Sequence, residues 1–112
     1  MYNVQELATM VQHRIGVVTI VFNDNAYGNV RRTQDTRFDG HIIATDLHNP
    51  DFVALAQSFG VTGHRVEDPG QLLETLRHAI ETDAPTLIEV PLGVMPSPSF
   101  LPPPEIQRKH SI

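Results

Sequence analysis

The sequence contains no cysteine. That excludes a disulfide framework and any thiolate-bound metal, and it fits a reducing compartment. Positive charge is also scarce: 8 Lys and Arg stand against 13 Asp and Glu, for a formal net charge of -5. Only Arg31-Arg32 and Arg108-Lys109 place two cations side by side. A nucleic-acid partner, which needs a basic face, is disfavoured. Apolar runs are short, and none nears the roughly 18 residues of a membrane-spanning helix. No basic stretch leads into an apolar segment at the N-terminus, so no signal peptide is visible. A cytoplasmic location is the expectation.

What remains is ordinary for a globular domain. The 112 residues are 40% hydrophobic and 19% charged, enough for one compact core. The chain opens on a helix pattern. Asn3 with Glu6 three residues on reads as a capping box. Val4, Leu7, Ala8 and Val11 then make one apolar face, ending near His13-Arg14 with Gly16 behind. Val17 to Phe22 is too short for a helix and too continuous for a half-exposed strand. It reads as a strand covered on both faces, as in parallel sheets.

Residues 23–48 show weak periodicity and read as one long loop, a length usually reserved for function. Asn49-Pro50 then suggests an N-cap with proline at the first helical position. Phe52, Leu55, Ala56 and Phe59 form the next helical stripe, closed by Gly60. Residues 63–66 read as a short strand. Asp68-Pro69 starts a third helix with Leu72, Leu73, Leu76, Ala79 and Ile80 on one face. Thr86 to Val90 reads as a last strand.

This alternation predicts an α/β fold: a three-layer open parallel sheet with helices on both faces. No strand precedes the first helix, so the sheet is expected to be incomplete at its N-terminal strand. Residues 1–92 form the expected domain. Six of the nine prolines (Pro91, Pro96, Pro98 and Pro102 to Pro104) follow, and residues 93–112 read as an extended, proline-rich tail.

The chemistry concentrates where the first strand ends, in Asn23-Asp24-Asn25. One carboxylate and two carboxamides at a strand tip can hold a hard cation through oxygen. They can equally form a plain turn in which Asx side chains bond nearby backbone. Arg31, Arg32 and Arg37 suggest either an anion site or a solvated segment. His41 and His48 flank Asp46, but the six histidines have no metal-ligand spacing and read as surface residues.

Four stretches carry a resemblance. YNVQELATMVQ, VVTIVFNDNAYG, NPDFVALAQSFGV and DAPTLIEVPLGVMPSP, in that order, resemble the diphosphate-binding domain of thiamine-diphosphate enzymes of the acetolactate synthase and benzoylformate decarboxylase group. They cover roughly residues 1–98. The resemblance implies thiamine diphosphate and Mg2+ as cofactors and a 2-oxo acid as substrate. It implies that Asp24 and the Ala26 carbonyl bind the metal. It implies that Asn25, Ala26, Tyr27 and Gly28 lie against the diphosphate, with Tyr27 lining the pocket. Asn23 would satisfy backbone groups.

Three departures qualify the resemblance. The family's motif begins with Gly-Asp-Gly, whose aspartate also binds magnesium, and this triplet occurs nowhere in the chain. The family's activating glutamate comes from a separate domain. The resemblance therefore implies the C-terminal cofactor-binding part of a decarboxylase or carboligase, cut just after Gly-Asp-Gly and inactive alone. A homo-oligomer or the remainder of a larger enzyme is the implied partner. Asn29 and Thr33 stand where acetolactate synthases carry Met and Trp in the acceptor pocket, which favours another 2-oxo acid. Two further readings stay in play. One is a non-catalytic α/β fragment that self-associates or docks to a partner chain. The other is a receiver-like domain with Asp24 as phosphoacceptor, which would need a strand before the first helix.

Overall fold

A computed structural model describes residues 3–93. The proline-rich tail expected from residue 93 onward lies, but for Gly93, outside the described residues. Three parallel strands form the sheet: β1 (Val18–Asn23), β2 (Thr62–Arg65) and β3 (Thr86–Pro91). Their spatial order is β1-β3-β2. Val21 and Arg65 both lie in register with Glu89 on the central strand. Among the described residues four helices accompany them: α1 (Glu6–His13), α2 (Gly28–Arg37), α3 (Phe52–Ser58) and α4 (Pro69–Thr82).

The side-chain alternation of β3 divides the layers. Leu87 faces a core of Leu7 and Met10 from α1, Phe52 and Ala56 from α3, and Val61. Ile88, fully buried, points the other way, toward the face on which α4 packs against β3 and β1. Helices thus cover both faces, as the alternation predicted. Beside this core, between α1, α3 and the β1 side of the sheet, an apolar groove of about 550 Å³ remains, lined by Val4, Val17, Val21 and Leu55 among others.

Five local expectations need correction. The capping box at Asn3 does not form. Asn3 takes a left-handed conformation (φ 69), and its backbone carbonyl, not its side chain, accepts the Glu6 N–H. The second helical stripe is capped by Asp51, whose Oδ1 accepts the Ala54 N–H at 3.0 Å, and not by Asn49. Asn49 instead donates its side-chain amide to Asn23 Oδ1. The strand covered on both faces is β3 and not β1. Ile20 and Phe22 of β1 are exposed, because β1 lies at the sheet's edge. The α4 stripe is only partly used: Ala79 is buried, while Leu73 and Ile80 face solvent.

The largest correction falls in the expected loop, which contains α2. This helix buries no residue, so it leaves no apolar periodicity to read. Side chains hold it instead. Gln34 clamps both backbone groups of Ile43, donating to its carbonyl (3.1 Å) and accepting from its N–H (3.0 Å). Thr33 and Thr36 donate their hydroxyls to the carbonyls four residues back. Arg31 pairs with Asp46.

Other expectations hold. Asp68 caps α4 with proline following, and its Oδ1 accepts the Gln71 N–H at 2.9 Å. Gly60 (φ 81) closes α3. No helix among the described residues is long and apolar enough to cross a membrane.

Candidate functional site

All three strands run parallel, so their carboxyl ends share one edge. Open α/β sheets bind ligands outside that edge. Asn23 ends β1, Arg65 ends β2, and Glu89 lies two residues before the end of β3.

Asn23-Asp24-Asn25-Ala26 folds as two overlapping Asx turns. Asn23 Oδ1 accepts the Asn25 N–H at 3.1 Å, and Asp24 Oδ1 accepts the Ala26 N–H at 3.1 Å. Asn25 supplies the left-handed residue (φ 52) that the bend requires, a conformation asparagine tolerates better than most residues. The turn is pinned to the returning chain. Ala26 lies opposite Asp46 in an antiparallel bridge. Tyr27 N–H donates to the Thr45 carbonyl (2.8 Å), and Leu47 N–H donates to that of Asn25 (2.8 Å).

This pairing leaves two oxygens on the turn without a hydrogen-bond partner among the described residues: Asp24 Oδ2 and the Ala26 carbonyl. Gly28 stands against Asp24 Oδ2, and a β-carbon there would collide with it. The space beside this carboxylate therefore depends on glycine. Tyr27 is exposed and is the N-cap of α2. No side chain caps this helix start, and its first turn carries no acidic residue. Its free N–H groups and positive dipole end suit an anion. Among the described residues, no three His, Asp or Glu side chains gather as a metal cage. One carboxylate oxygen plus one carbonyl is the donor set that Mg2+ accepts when phosphate oxygens complete its shell. The residues present fit such a group.

The expected site residues Asp24, Asn25, Ala26, Tyr27 and Gly28 are thus brought together on one turn and one helix start. Asn23 does satisfy a backbone N–H, and it does more. Its Nδ2 donates to Glu89 Oε1 (2.8 Å), and its Oδ1 also accepts from Asn49 Nδ2 (2.8 Å). Glu89 Oε2 accepts from Arg65 Nε at 2.9 Å. That hydrogen bond and the charge of Glu89 hold the Arg65 guanidinium more firmly protonated than usual. Asp51 Oδ1 approaches Arg65 at 3.6 Å. The Ala54 N–H and the Arg65 charge lower the Asp51 carboxyl below its ordinary range.

Sequence reasoning missed Glu89, Arg65 and Asn49. The available signal was a lone glutamate inside the apolar run TLIEV. It also missed Thr45, which is buried, has no partner for its hydroxyl among the described residues, and lends its carbonyl to Tyr27. The arginines behave as solvated residues where their bonds are seen: Arg31 pairs with Asp46, and Arg32 donates to Asn29 Oδ1 (2.6 Å). His41 and His48 are exposed, and His41 Nδ1 lies 3.0 Å from the Phe38 carbonyl.

An α/β domain that presents free oxygens and an uncapped helix start at the carboxyl edge of a parallel sheet belongs to the class that holds phosphorylated ligands there. The chain belongs to the thiamine pyrophosphate enzyme family: the profile of that family's C-terminal TPP binding domain matches residues 1–90. It is 40% identical over 85 residues to the mitochondrial acetolactate synthase catalytic subunit of Aspergillus candidus, covering 76% of this chain and 12% of that protein. It is 38% identical over 92 residues to the acetolactate synthase of Bacillus subtilis, covering 82% of this chain and 16% of the relative. Among solved structures it resembles the thiamine diphosphate-dependent 4-hydroxybenzoylformate decarboxylase of Rhodococcus jostii. That match has a TM-score of 0.76 and 33% identity, covering 86% of this chain and 18% of the other. The benzoylformate decarboxylase of Polynucleobacter necessarius gives a TM-score of 0.77 at 26% identity, covering 88% and 18%. This chain therefore spans less than a fifth of the length of these relatives.

Proposed function

We propose that this chain is the thiamine-diphosphate- and Mg2+-binding part of a 2-oxo acid decarboxylase or carboligase, and that these 112 residues do not catalyse by themselves. The observation that carries this reading is the pair of unpartnered oxygens, Asp24 Oδ2 and the Ala26 carbonyl, on a turn at the sheet's carboxyl edge. Asp24 and Ala26 would hold the metal. The backbone of Asn25 to Gly28 and the start of α2 would receive the diphosphate, with Tyr27 beside it. Thiamine diphosphate, when bound, supplies the ylid and the electron sink for the chemistry. The chain's own part is to bind and orient.

The expectation of inactivity rests on two facts: Gly-Asp-Gly does not occur in these 112 residues, and they span less than a fifth of the relatives' length. Residues 1–92 form the cofactor-binding unit in this reading, close to where the family match ends at residue 90. The remainder of a larger enzyme, or a second copy, is the partner. A second reading is a non-catalytic α/β piece that docks or self-associates. Exposed Ile20 and Phe22 and the apolar groove beside β1 favour it.

Calorimetry with thiamine diphosphate and Mg2+, or line broadening by Mn2+ where binding is weak, tests the site. Weak binding is expected, and Asp24→Ala should abolish it. Binding that this substitution leaves unchanged refutes the metal assignment. Turnover of pyruvate or benzoylformate by the chain alone would refute the claim of inactivity.

A further inference from the structure

We propose that Glu89 is the positioning residue of the Asp24–Ala26 turn, acting through the side-chain amide of Asn23. The inference rests on the cofactor reading above.

Glu89 lies in the central strand and is only 3% exposed. Both its oxygens are committed, Oε1 to Asn23 Nδ2 of β1 and Oε2 to Arg65 Nε of β2. It therefore joins the carboxyl ends of all three strands. A carboxylate only accepts hydrogen bonds. Asn23 must consequently turn its NH2 inward, and Oδ1 is left facing outward. There it accepts the Asn25 N–H and the Asn49 amide. Capture of the N–H two residues on is the first Asx turn, and it accompanies the left-handed bend at Asn25. That bend brings the Ala26 N–H to Asp24 Oδ1, leaving the other carboxylate oxygen and the Ala26 carbonyl unpartnered. The backbone beneath is anchored separately, by the Leu92 N–H on the Asn23 carbonyl at 2.7 Å. What Glu89 adds is the sense of the Asn23 amide.

Glutamine at position 89 has the same shape but one acceptor. Arg65, which only donates, would take that oxygen. The glutamine NH2 would then face Asn23, and the Asn23 amide would reverse. Its NH2 would confront the Asn25 N–H, and the turn would lose its first bond. A merely structural Glu89, tying β2 to β3 through Arg65, would affect stability and leave the turn alone.

Amide hydrogen exchange of the ligand-free chain, read by NMR, separates these roles. In Glu89→Gln the Asn25 amide should exchange about fivefold faster, the effect of one ordinary hydrogen bond, while the β1–β3 ladder keeps its protection. The Mn2+ concentration that half-broadens the Asp24 to Ala26 amides should rise severalfold. Asn23→Ala, which leaves the Glu89–Arg65 pair intact, should do the same and serves if Glu89→Gln does not fold. Unchanged Asn25 exchange in a folded variant overturns the proposal. So does faster exchange with unchanged Mn2+ response. A wild-type chain that Mn2+ does not broaden overturns the cofactor reading and this inference with it. That failure is recognisable because the wild type, not the variant, is silent.

Discussion

Gly28 stands against Oδ2 of Asp24 so closely that any β-carbon at position 28 would meet the carboxylate. The obstructed atom is the free end of a side chain, so the carboxylate can swing aside without disturbing the backbone. Gly28→Ala should therefore leave the denaturation midpoint nearly unchanged while removing the Mn2+ response of the turn. A variant that keeps its metal response would show that Asp24 Oδ2 is not a ligand.

Asp24→Asn makes a finer distinction than removal of the side chain. The carboxamide has a single oxygen, which must turn from the Ala26 N–H if it is to reach the metal, and it gives up the negative charge. Metal affinity should fall on the order of tenfold and not vanish, since Mg2+ prefers charged oxygen but accepts neutral oxygen. Titration of Mn2+ against the Ala26 amide measures it. Loss as complete as in Asp24→Ala would mean that the ion needs the second carboxylate oxygen and its charge, the single carboxamide oxygen staying on the Ala26 N–H.

Thr45 is 2% exposed, and its hydroxyl has no partner among the described residues. Its carbonyl holds Tyr27, so the backbone matters and the hydroxyl does not contribute a bond. Thr45→Val should stabilise the fold by about 1 kcal/mol, the gain from removing an unsatisfied buried polar group. Chemical denaturation reads the change. A loss of similar size would reveal a partner for the hydroxyl.

The cap of α3 gives a pH dependence. The Ala54 N–H and the Arg65 charge lower the Asp51 carboxyl in the folded chain. A lowered folded value means that the unfolded chain takes up the proton first as pH falls. The contribution of Asp51 is therefore complete above the ordinary carboxylate range, and it is lost as pH drops through that range toward the folded value. Wild type and Asp51→Ala should differ in urea midpoint at neutral pH and converge in acid. A difference that persists at low pH would contradict the assignment.

Exposed apolar side chains bear on association. Ile20 and Phe22 face solvent on the sheet, and Ile80 does so on α4. Concentration-dependent sedimentation is expected, with Phe22→Lys shifting the chain toward monomer and leaving its denaturation midpoint within about 0.5 kcal/mol of wild type. A wild type that sediments as a monomer at every concentration would count against the docking reading.

Much of this was legible in advance. Continuous apolar runs bounded by turn residues marked β1 and β3. The stripe of Phe52, Leu55, Ala56 and Phe59 marked α3. Asp68-Pro69 marked the start of α4. Each is a local signal, set by one turn of chain or by the period of its own element. The polar cluster after the first strand likewise marked where the chemistry would sit. Helix α2 was not legible, because a helix that buries nothing has no reason to carry an apolar period. Asn3 and Asn49 misled for a related reason. Asparagine serves caps, left-handed bends and networks equally well, and only its neighbours in space decide which.

The sequence by itself determined the order of the elements other than α2, the parallel sheet and the turn that bears Asp24, because these follow from periodicity, capping chemistry and short-range turn preferences. Tertiary structure alone decided which strand is central, which oxygens of the turn stay free, and how the Asn23 amide faces. The last of these depends on Glu89, 66 residues away along the chain. A hydrogen bond across that separation has no local pattern, and it exists only once the strands have chosen their neighbours.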